Sequence, residues 1–329
     1  MDVPPVIVLY MPPPSKFAYG FHHCVPMKDK LIEDGYFIVK DLKYTAAEHD
    51  TFIDTFETYF KVGVTPEITT QIHPTNSDGP HPKFRYNWKI AGPPANTTYK
   101  ELIADPVLPE GVSDLKETMV TCANKMLATV HEIAEKTAAA FMIEEKTAAG
   151  LTIPKFDAFT SKIKLGPHVL SLTGIDLEKY GEEGTVIEAS HYDHNFLTIH
   201  DSNIFSGYNI WLRNGEKIEV DIPRGCFLIT AGKQMEWLTG GNILACKYEV
   251  IVTNKTMLAI NEAKELGHSL WRASSTLYAH LAPDELMMPL ESFKKYSRRA
   301  KEYPPIYARD AQRLVKPIPI ECNDNFYLL

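Results

Sequence analysis

Apolar residues recur at helical spacing in two stretches of the N-terminal half. The spacing in residues 46–61 predicts an amphipathic helix. Its apolar positions are Phe52, Phe56, Tyr59 and Phe60. Ser113-Asp114 can cap a second helix, whose apolar spacing predicts that it runs to about Met142. Residues 63–112, between the two, are rich in proline, asparagine and threonine and are predicted to be irregular.

From about residue 160 the pattern changes to short apolar runs separated by turn residues. Together with an early run at 36–39, the predicted strands are 186–199, 208–213, 217–222, 226–230, 242–253 and 269–281. Many short strands with no helix between them are typical of an antiparallel barrel or jelly roll. Between the predicted strands 208–213 and 217–222, Asn214-Gly215 predicts a hairpin with a tight type I′ turn.

A helical pattern returns at 284–300, so the order along the chain is helices, strands, helices. This order predicts a mainly β fold with flanking helices (α+β) in a single domain. The predicted parts are a helical and irregular segment at 1–160, a β core at 161–282 and a helical tail at 283–329.

Composition narrows the class of protein. The chain has 329 residues and a formal net charge of −8, which argues against a general nucleic-acid or membrane surface. It contains neither a run of about 18 apolar residues nor a signal-peptide pattern. The five cysteines are scattered without a CxxC pair, so we expect reduced thiols and a cytoplasmic protein. Nucleotide-binding glycine loops and a G-x-S-x-G elbow are also absent from the sequence.

Two short strand segments carry candidate chemistry. His191 and Asp193 lie two residues apart, so on a strand they project from the same face. An imidazole and a carboxylate side by side supply two of the three ligands of a facial iron(II) site. Arg272 and Ser274 share a face in the same way, and a guanidinium beside a hydroxyl suits a bidentate grip on a carboxylate.

Four motifs in order resemble the iron(II)/2-oxoglutarate-dependent oxygenases, in particular the isopenicillin N synthase-like group. Asp34-Gly35-Tyr36-Phe37 is similar to the early "DGFF" strand of that group. The segment 191–198 is similar to its "HxDxxxLT", and 232–241 to its "GDxLQxxTGG", with Lys233 in place of Asp. Arg272-Ala273-Ser274 is similar to its R-x-S. The resemblance implies a double-stranded β-helix flanked by helices.

The resemblance also implies cofactors and partners. Iron(II) would be bound by His191, Asp193 and a distal histidine, and Arg272 with Ser274 would bind the far carboxylate of the co-substrate 2-oxoglutarate. The partners would be dioxygen and a small molecule, which would be hydroxylated, desaturated or cyclised. An alternative is a member of the family that has lost iron chemistry and only binds a ligand. A metal barrel that does not use 2-oxoglutarate is a third hypothesis.

One position departs from the family pattern. The place of the distal histidine falls on Tyr248, and alternation groups this side chain with the apolar, inward residues Cys246 and Val250. Tyr248 is therefore the predicted third ligand, although it is a phenol. His194 and His268 are the alternatives: His194 needs a bend at Asn195 to turn inward, and His268 lies in an apparent insertion before Arg272.

The aromatic cluster within residues 63–112 is the candidate lining of the substrate pocket. Its members are Phe84, Arg85, Tyr86 and Trp88. A packed aromatic cluster with a purely structural role would give the same pattern.

Overall fold

Two β-sheets lie at the centre of the computed structural model, which describes residues 8–10, 25–40, 44–61, 84–90, 113–294 and 297–314. The strands of the larger sheet are β1 (Val8–Tyr10), β2 (Tyr36–Lys40), β3 (Phe84–Lys89), β6 (Val169–Asp176), β8 (Leu197–His200), β11 (Phe227–Ala231) and β13 (Trp271–Ala279). They are arranged in the order β1-β2-β11-β8-β13-β6-β3.

The smaller sheet packs against the larger one. Its strands are β7 (Val186–Tyr192), β9 (Tyr208–Trp211), β10 (Lys217–Val220) and β12 (Lys247–Ile251). They are arranged in the order β10-β9-β12-β7. Two minor strand pairs lie outside the two sheets: β4 (Glu144–Lys146) with β5 (Thr152–Pro154), and β14 (Leu286–Met287) with β15 (Ile306–Tyr307).

Alternation along the strands divides the apolar residues between two cores. On β2, Phe37 and Val39 belong to the outer core against the helices, whereas Ile38 belongs to the core between the two sheets. On β13, Ala273 and Leu277 point outward in the same way. The inner face of this strand carries polar side chains instead, so the sandwich has a polar region at β13.

The two predicted N-terminal helices are confirmed. The helices of this half are α1 (Val25–Glu33), α2 (Ala46–Lys61) and α3 (Ser113–Ala140). Phe52 and Phe56 of α2 are buried as predicted. Helix α3 ends before Met142 because Met142 adopts a left-handed φ of 49° and its N–H donates to the carbonyl of Ala139. The N–H of Ile143 then donates to the carbonyl of Ala138, which completes a Schellman cap.

The described part of the irregular stretch predicted at 63–112 contains β3, where the aromatic cluster lies. The rest of that prediction lies outside the described residues.

The type I′ turn predicted at Asn214-Gly215 is wrong. Leu212 and Glu216 are hydrogen-bonded to each other, and the N–H of Gly215 donates to the carbonyl of Leu212 at 2.9 Å. Gly215 has a φ of 86°, whereas Asn214 has no positive φ, which a type I′ turn requires. The connection is therefore a three-residue loop in which glycine alone takes the left-handed conformation.

The expectation that no helix interrupts the strands is also wrong. Helices α4 (Thr160–Ile163), α5 (Leu177–Tyr180), α6 (Lys233–Leu238) and α7 (Asn254–Glu265) all lie in the β-rich half. The largest is α7, which Thr253 begins through a capping box with Thr256. Helix α7 fills the apparent insertion before Arg272.

The helical tail predicted at 284–300 is much reduced. Here the chain forms the short strand β14 and the four-residue helix α8 (Glu291–Lys294). Pro289 lies between them, and proline both lacks an N–H and disfavours helix at the preceding residue. The N–H of Leu290 donates to the carbonyl of Leu238 instead, which ties the segment to α6. In the described part of the chain, none of the helices combines the length and apolar character needed to cross a bilayer.

A buried ion pair anchors α2 to the larger sheet. His49 Nε2 lies 3.1 Å from Asp201 Oδ2, and both side chains are nearly inaccessible to water. The same carboxylate oxygen accepts hydrogen bonds from the N–H and the hydroxyl of Ser275. Because removal of one partner leaves buried polar groups unpaired, we expect Asp201→Asn to lower the free energy of unfolding by about 2–4 kcal/mol.

The contribution of His49 is expected to depend on pH. Burial lowers the pKa of His49, but the hydrogen bond and charge of Asp201 raise it by more, so the folded pKa lies above the ordinary value of 6.5. Folding therefore favours the charged imidazole: this stabilisation is complete below about pH 6.5 and is lost as the pH rises through the folded pKa. Urea unfolding should show a larger difference between wild type and His49→Gln at pH 6 than at pH 9. A difference that grows with pH would contradict the ion pair.

Candidate active site

His191 is oriented by the strand that carries it. Its Nδ1 lies 2.7 Å from the carbonyl oxygen of Ala189, so Nδ1 holds the proton and donates it to that carbonyl. The opposite nitrogen, Nε2, lies 3.4 Å from Asp193 Oδ1. A backbone carbonyl on the far nitrogen is the usual arrangement for a metal-binding histidine, because it fixes both the tautomer and the ring orientation.

The second carboxylate oxygen of Asp193, Oδ2, is fixed by a hydrogen bond. The hydroxyl of Thr198 donates to Oδ2 at 2.5 Å, and Asn195 Nδ2 lies 3.0 Å from that hydroxyl. The chain bends between β7 and β8, and this bend brings Thr198 back onto the carboxylate. Oδ1 of Asp193 therefore remains directed toward His191.

The two side chains are electrostatically coupled. Burial lowers the pKa of His191, but the hydrogen bond and charge of Asp193 reverse this effect and raise the pKa to about 9. Burial raises the pKa of Asp193, but the hydrogen bond and charge of His191 outweigh it and leave that pKa below its ordinary value. The two pKa values are thus displaced in opposite directions, as expected of an ion pair.

Tyr248 completes a group of three donor atoms. It lies directly opposite His191 in the pairing of β12 with β7 and is buried, so the inward orientation predicted from alternation is observed. Its hydroxyl donates to Asp193 Oδ1 at 3.4 Å. Its ring lies between those of His191 and His200, with centroids 4.6 and 4.9 Å away. Burial, with a further contribution from Asp193, raises the pKa of Tyr248 well above 10.

This arrangement has dimensions that suit a small divalent ion. An octahedral ion with bonds of about 2.1 Å holds neighbouring ligand atoms about 3.0 Å apart. Asp193 Oδ1 lies 3.4 Å from both His191 Nε2 and the hydroxyl of Tyr248, slightly wider than such an edge. Among the described residues, no three His, Cys, Asp or Glu side chains form a metal-binding group, whereas the phenol of Tyr248 contacts Asp193.

Arg272 is buried with one nitrogen unpaired. Its Nε donates to the carbonyl of Phe205 at 3.0 Å, and its Nη1 donates to Ser274 Oγ at 3.2 Å. Its Nη2 is buried and has no hydrogen-bond partner among the described residues. An unpaired buried guanidinium nitrogen is costly, and a carboxylate is its natural partner.

A small cavity between the two sheets, partly open to solvent, is lined by both Tyr248 and Arg272. Four alternate residues of β13 line it: Arg272, Ser274, Thr276 and Tyr278. The rest of the described lining is Arg85, Thr173, Ile187, Glu188, His200, Tyr208, Tyr248 and Val250. The cavity therefore connects Arg272 and Ser274 with Tyr248, the phenol that contacts Asp193.

The predicted substrate-pocket residues divide between two faces of β3. Arg85 lines the cavity, whereas Tyr86 and Trp88 are buried in the outer core against the helices. The side chain of Phe84 lies outside the described residues. Tyr86 and Trp88 therefore have a structural role. Of the predicted pocket residues with described side chains, only Arg85 lies at the cavity.

The alternative histidine ligands do not line the cavity. His268 is exposed in the turn after α7. The chain does bend near Asn195, yet among the described residues His194 forms no metal-binding group of three with His191 and Asp193, and burial lowers its pKa. His200 lines the cavity instead, and burial lowers its pKa to about 4. Strand alternation does not identify His200, because β7 and β8 belong to different sheets and the alternation does not continue through the bend.

Comparisons with known proteins identify the fold. No model of a protein family and no curated protein matches the sequence. Among solved structures, a 2OG-Fe(II) oxygenase family protein from Caulobacter crescentus is 16% identical, with a TM-score of 0.73 over 94% of this chain and 97% of the other. A full-length protein from Neurospora crassa, solved in complex with alpha-KG and thymine, is 13% identical, with a TM-score of 0.70 over 93% and 95% of the two chains.

A third similar structure is the dioxygenase for auxin oxidation from rice. It is 15% identical, with a TM-score of 0.64 over 95% of this chain and 94% of the other. The chain thus has the α+β fold of these proteins, with a double-stranded β-helix as its core, which confirms the predicted fold class. At such identities, the likeness concerns the fold, and the chemistry has to be argued from the residues.

Proposed function

We propose that the protein is a non-haem iron(II)- and 2-oxoglutarate-dependent oxygenase that oxidises a small molecule. The observation that carries the proposal is the buried, unpaired Nη2 of Arg272 at one end of a cavity that holds Tyr248 at the other. A dicarboxylic co-substrate would pair with the guanidinium at one end and reach the donor group at the other. The neighbours of the same fold, among them the Neurospora crassa protein solved with alpha-KG, support this co-substrate.

The site residues would have two separate roles, binding the co-substrate and binding the metal. Arg272 and Ser274 would hold the far carboxylate of 2-oxoglutarate, with Nη2 as the open donor. His191, Asp193 and Tyr248 would hold iron(II). When bound, iron(II) and 2-oxoglutarate supply the activation of dioxygen and the oxidising power for attack on a substrate C–H bond.

The protein contributes the geometry of the site. Thr198 fixes the rotamer of Asp193, and the carbonyl of Ala189 fixes that of His191, so neither ligand has to reorganise. Tyr208, which is buried, and Tyr278, which is half-buried, both line the cavity. Burial raises the pKa of Tyr208 to about 12, so this phenol remains a neutral wall of the cavity at physiological pH.

Finer assignments belong to the same proposal. The four motifs favour the isopenicillin N synthase-like group, with Tyr248 in place of the distal histidine and with one domain over 1–329. Hydroxylation, desaturation and cyclisation are the reactions that this group implies. The described cysteines Cys122, Cys226 and Cys246 are free thiols, which agrees with a cytoplasmic location.

The test is the binding of 2-oxoglutarate to Arg272→Lys. Lysine keeps the charge but loses the fork that reaches both Ser274 and the co-substrate, so we expect the dissociation constant to rise by about tenfold. Isothermal titration of 2-oxoglutarate into anaerobic, iron(II)-loaded protein measures this constant. In the same samples, iron-dependent formation of succinate separates an oxygenase from a protein that only binds ligand.

Arg213→Lys is the matched control. Arg213 also donates through its guanidinium, but to the carbonyls of Leu244 and Ala245 and away from the cavity. Its replacement should leave the affinity for 2-oxoglutarate unchanged. Equal affinities for wild type and Arg272→Lys would remove the co-substrate from the proposal.

A further inference from the structure

A charge pair closes one open side of the sandwich beside the cavity. Arg85 lies on β3, the edge strand of the larger sheet, and Glu188 lies on β7, the edge strand of the smaller sheet. Arg85 Nη2 donates to Glu188 Oε2 at 2.9 Å. Both side chains line the cavity and are 14% and 28% exposed, so the pair forms a wall that faces the reactants and is reachable from solvent.

An irregularity in β7 turns Glu188 toward the cavity. Glu188 and His191 are three residues apart, and on a regular strand they would point to opposite faces. The pairing with β12 shifts between them, because Tyr248 lies opposite His191 while Val250 lies opposite Glu188. One extra residue on β7 thus returns both side chains to the inner face, which is how a bulge re-aims a side chain beside a site.

Arg85 lies on the same row of the larger sheet as the proposed co-substrate site. It pairs with Thr173, and Thr173 pairs with Ser274. Directly paired residues on neighbouring antiparallel strands have Cβ atoms about 5 Å apart, so Arg85 is only two such steps from Ser274. The pair is therefore next to the co-substrate without taking part in its grip.

The charge pair is neutral as a whole. Arg85 and Glu188 carry opposite charges, and Arg85 Nη2 lies 2.9 Å from Glu188 Oε2, so each charge compensates the other. A substrate with a net charge, buried beside this intact pair, would lack a compensating charge there, which is costly.

We propose that Arg85 and Glu188 together recognise the substrate, and that the substrate is an uncharged molecule with a hydrogen-bond acceptor and a donor side by side, as in a cyclic amide. Arg85 donates to the carbonyl oxygen, and Glu188 accepts from the neighbouring N–H. Tyr208 and Tyr278 line the same cavity and suit a planar ring. This inference rests on the proposed function and names the substrate class of that site.

The intact ion pair distinguishes this substrate from a zwitterion. An amino acid would place its carboxylate on Arg85 and its ammonium on Glu188, and would thereby separate two groups that lie 2.9 Å apart. An amide edge adds a neutral donor and acceptor to the pair and leaves it in place. The amide class is therefore favoured over the zwitterion.

The test uses four small probes on the full chain loaded with manganese(II) and 2-oxoglutarate under nitrogen. Titration of 2-oxoglutarate comes first and establishes the loaded state. The probes are 2-pyridone, N-methyl-2-pyridone, benzoate and phenylalanine, and their binding is followed by ligand-observed NMR. We expect 2-pyridone to bind at least tenfold more tightly than its N-methyl form, which lacks the donor, and than the two charged probes.

Glu188→Gln supplies the matching variant. Loss of the charged acceptor should weaken the binding of 2-pyridone at least fivefold, because a charge-assisted hydrogen bond is roughly twice as strong as a neutral one. The affinity for N-methyl-2-pyridone should not change. Glu249→Gln is the control: Glu249 also forms an ion pair, with Lys217 at 3.1 Å, and is equally part of the smaller sheet. It does not line the cavity, and its replacement should not affect any probe.

Each outcome decides the proposal. Absence of 2-oxoglutarate binding in the first step overturns the proposed function, and this inference with it. Binding of 2-oxoglutarate without a preference for 2-pyridone overturns the inference alone, as does a preference for benzoate or phenylalanine. An equal loss of affinity for 2-pyridone in Glu188→Gln and Glu249→Gln would show that the pair of Arg85 and Glu188 has a structural role only.

Discussion

His191→Ala and Asp193→Ala are expected to fold and to lose bound iron(II). Each removes one of the donor atoms that meet at Asp193 Oδ1, where the separations are 3.4 Å. Loss of a supporting partner alone typically weakens metal binding by about 10–100-fold, so loss of a ligand should exceed a hundredfold. Elemental analysis of protein purified anaerobically, together with a titration of iron(II), measures the effect.

Folding of these variants follows from the position of the pair. His191 and Asp193 belong to neither of the two apolar cores, so we expect their truncation to leave the packing of β7 intact. Circular dichroism and thermal melts check this. Asp193→Asn, which keeps the shape and loses the charge, separates loss of the ligand from local collapse.

His194→Ala and His268→Ala are the matched controls. Among the described residues neither histidine forms a metal-binding group of three with His191 and Asp193, and His268 is exposed, so both variants should keep the wild-type metal content. Full metal content in His191→Ala or Asp193→Ala would place the site elsewhere. Loss of metal in either control would identify that histidine as the third ligand.

The fold was predictable because its signals are local and strong. Helix α2 and helix α3 follow from apolar spacing, and β2, β9 and β13 follow from alternation bounded by turn residues. The errors arose where tertiary contacts determine the local conformation. Asn214-Gly215 is compatible with two hairpin turns, and the pairing of Leu212 with Glu216 selects the longer one.

The site was predictable only where its residues share one strand. Arg272 with Ser274, and Tyr248 with Val250, were assigned to the cavity face by alternation, and the structure places them there. His200 was missed because alternation does not carry across the bend between β7 and β8. Glu188 was missed because the bulge before His191 is a feature of the pairing with β12, which no pattern within β7 indicates.

As the proposed third ligand, Tyr248 would determine how strongly the proposed centre binds iron(II). Ionisation of an ordinary phenol, of pKa about 10, costs roughly 4 kcal/mol at pH 7. Burial and Asp193 raise the pKa of Tyr248 further, so the cost in this cavity is larger. Because metal ligands of this kind must lose their proton, we expect weak binding of iron(II) by the wild-type protein.

Tyr248→His is expected to raise the affinity for iron(II) at least tenfold, on the scale of 10–100-fold that changes around metal ligands reach. Imidazole is neutral at pH 7 and binds without ionisation, and position 248 already lies opposite His191 with its side chain turned inward. Tyr248→Phe removes the oxygen and keeps the ring, so it should bind iron(II) no better than wild type. A titration of iron(II) under nitrogen compares the three proteins.

The colour of the oxidised protein gives an independent readout of the same position. Iron(III) attracts phenolate much more strongly than iron(II) does, so oxidised wild-type protein should show a visible phenolate-to-iron charge-transfer band. Tyr248→Phe and Tyr248→His should both lack this band, because neither retains the oxygen that lies 3.4 Å from Asp193 Oδ1. A colourless oxidised wild type, combined with no gain of iron(II) affinity in Tyr248→His, would remove position 248 from the metal site. A band that persists in Tyr248→Phe would assign the ligand to another phenol of the cavity, Tyr208 or Tyr278.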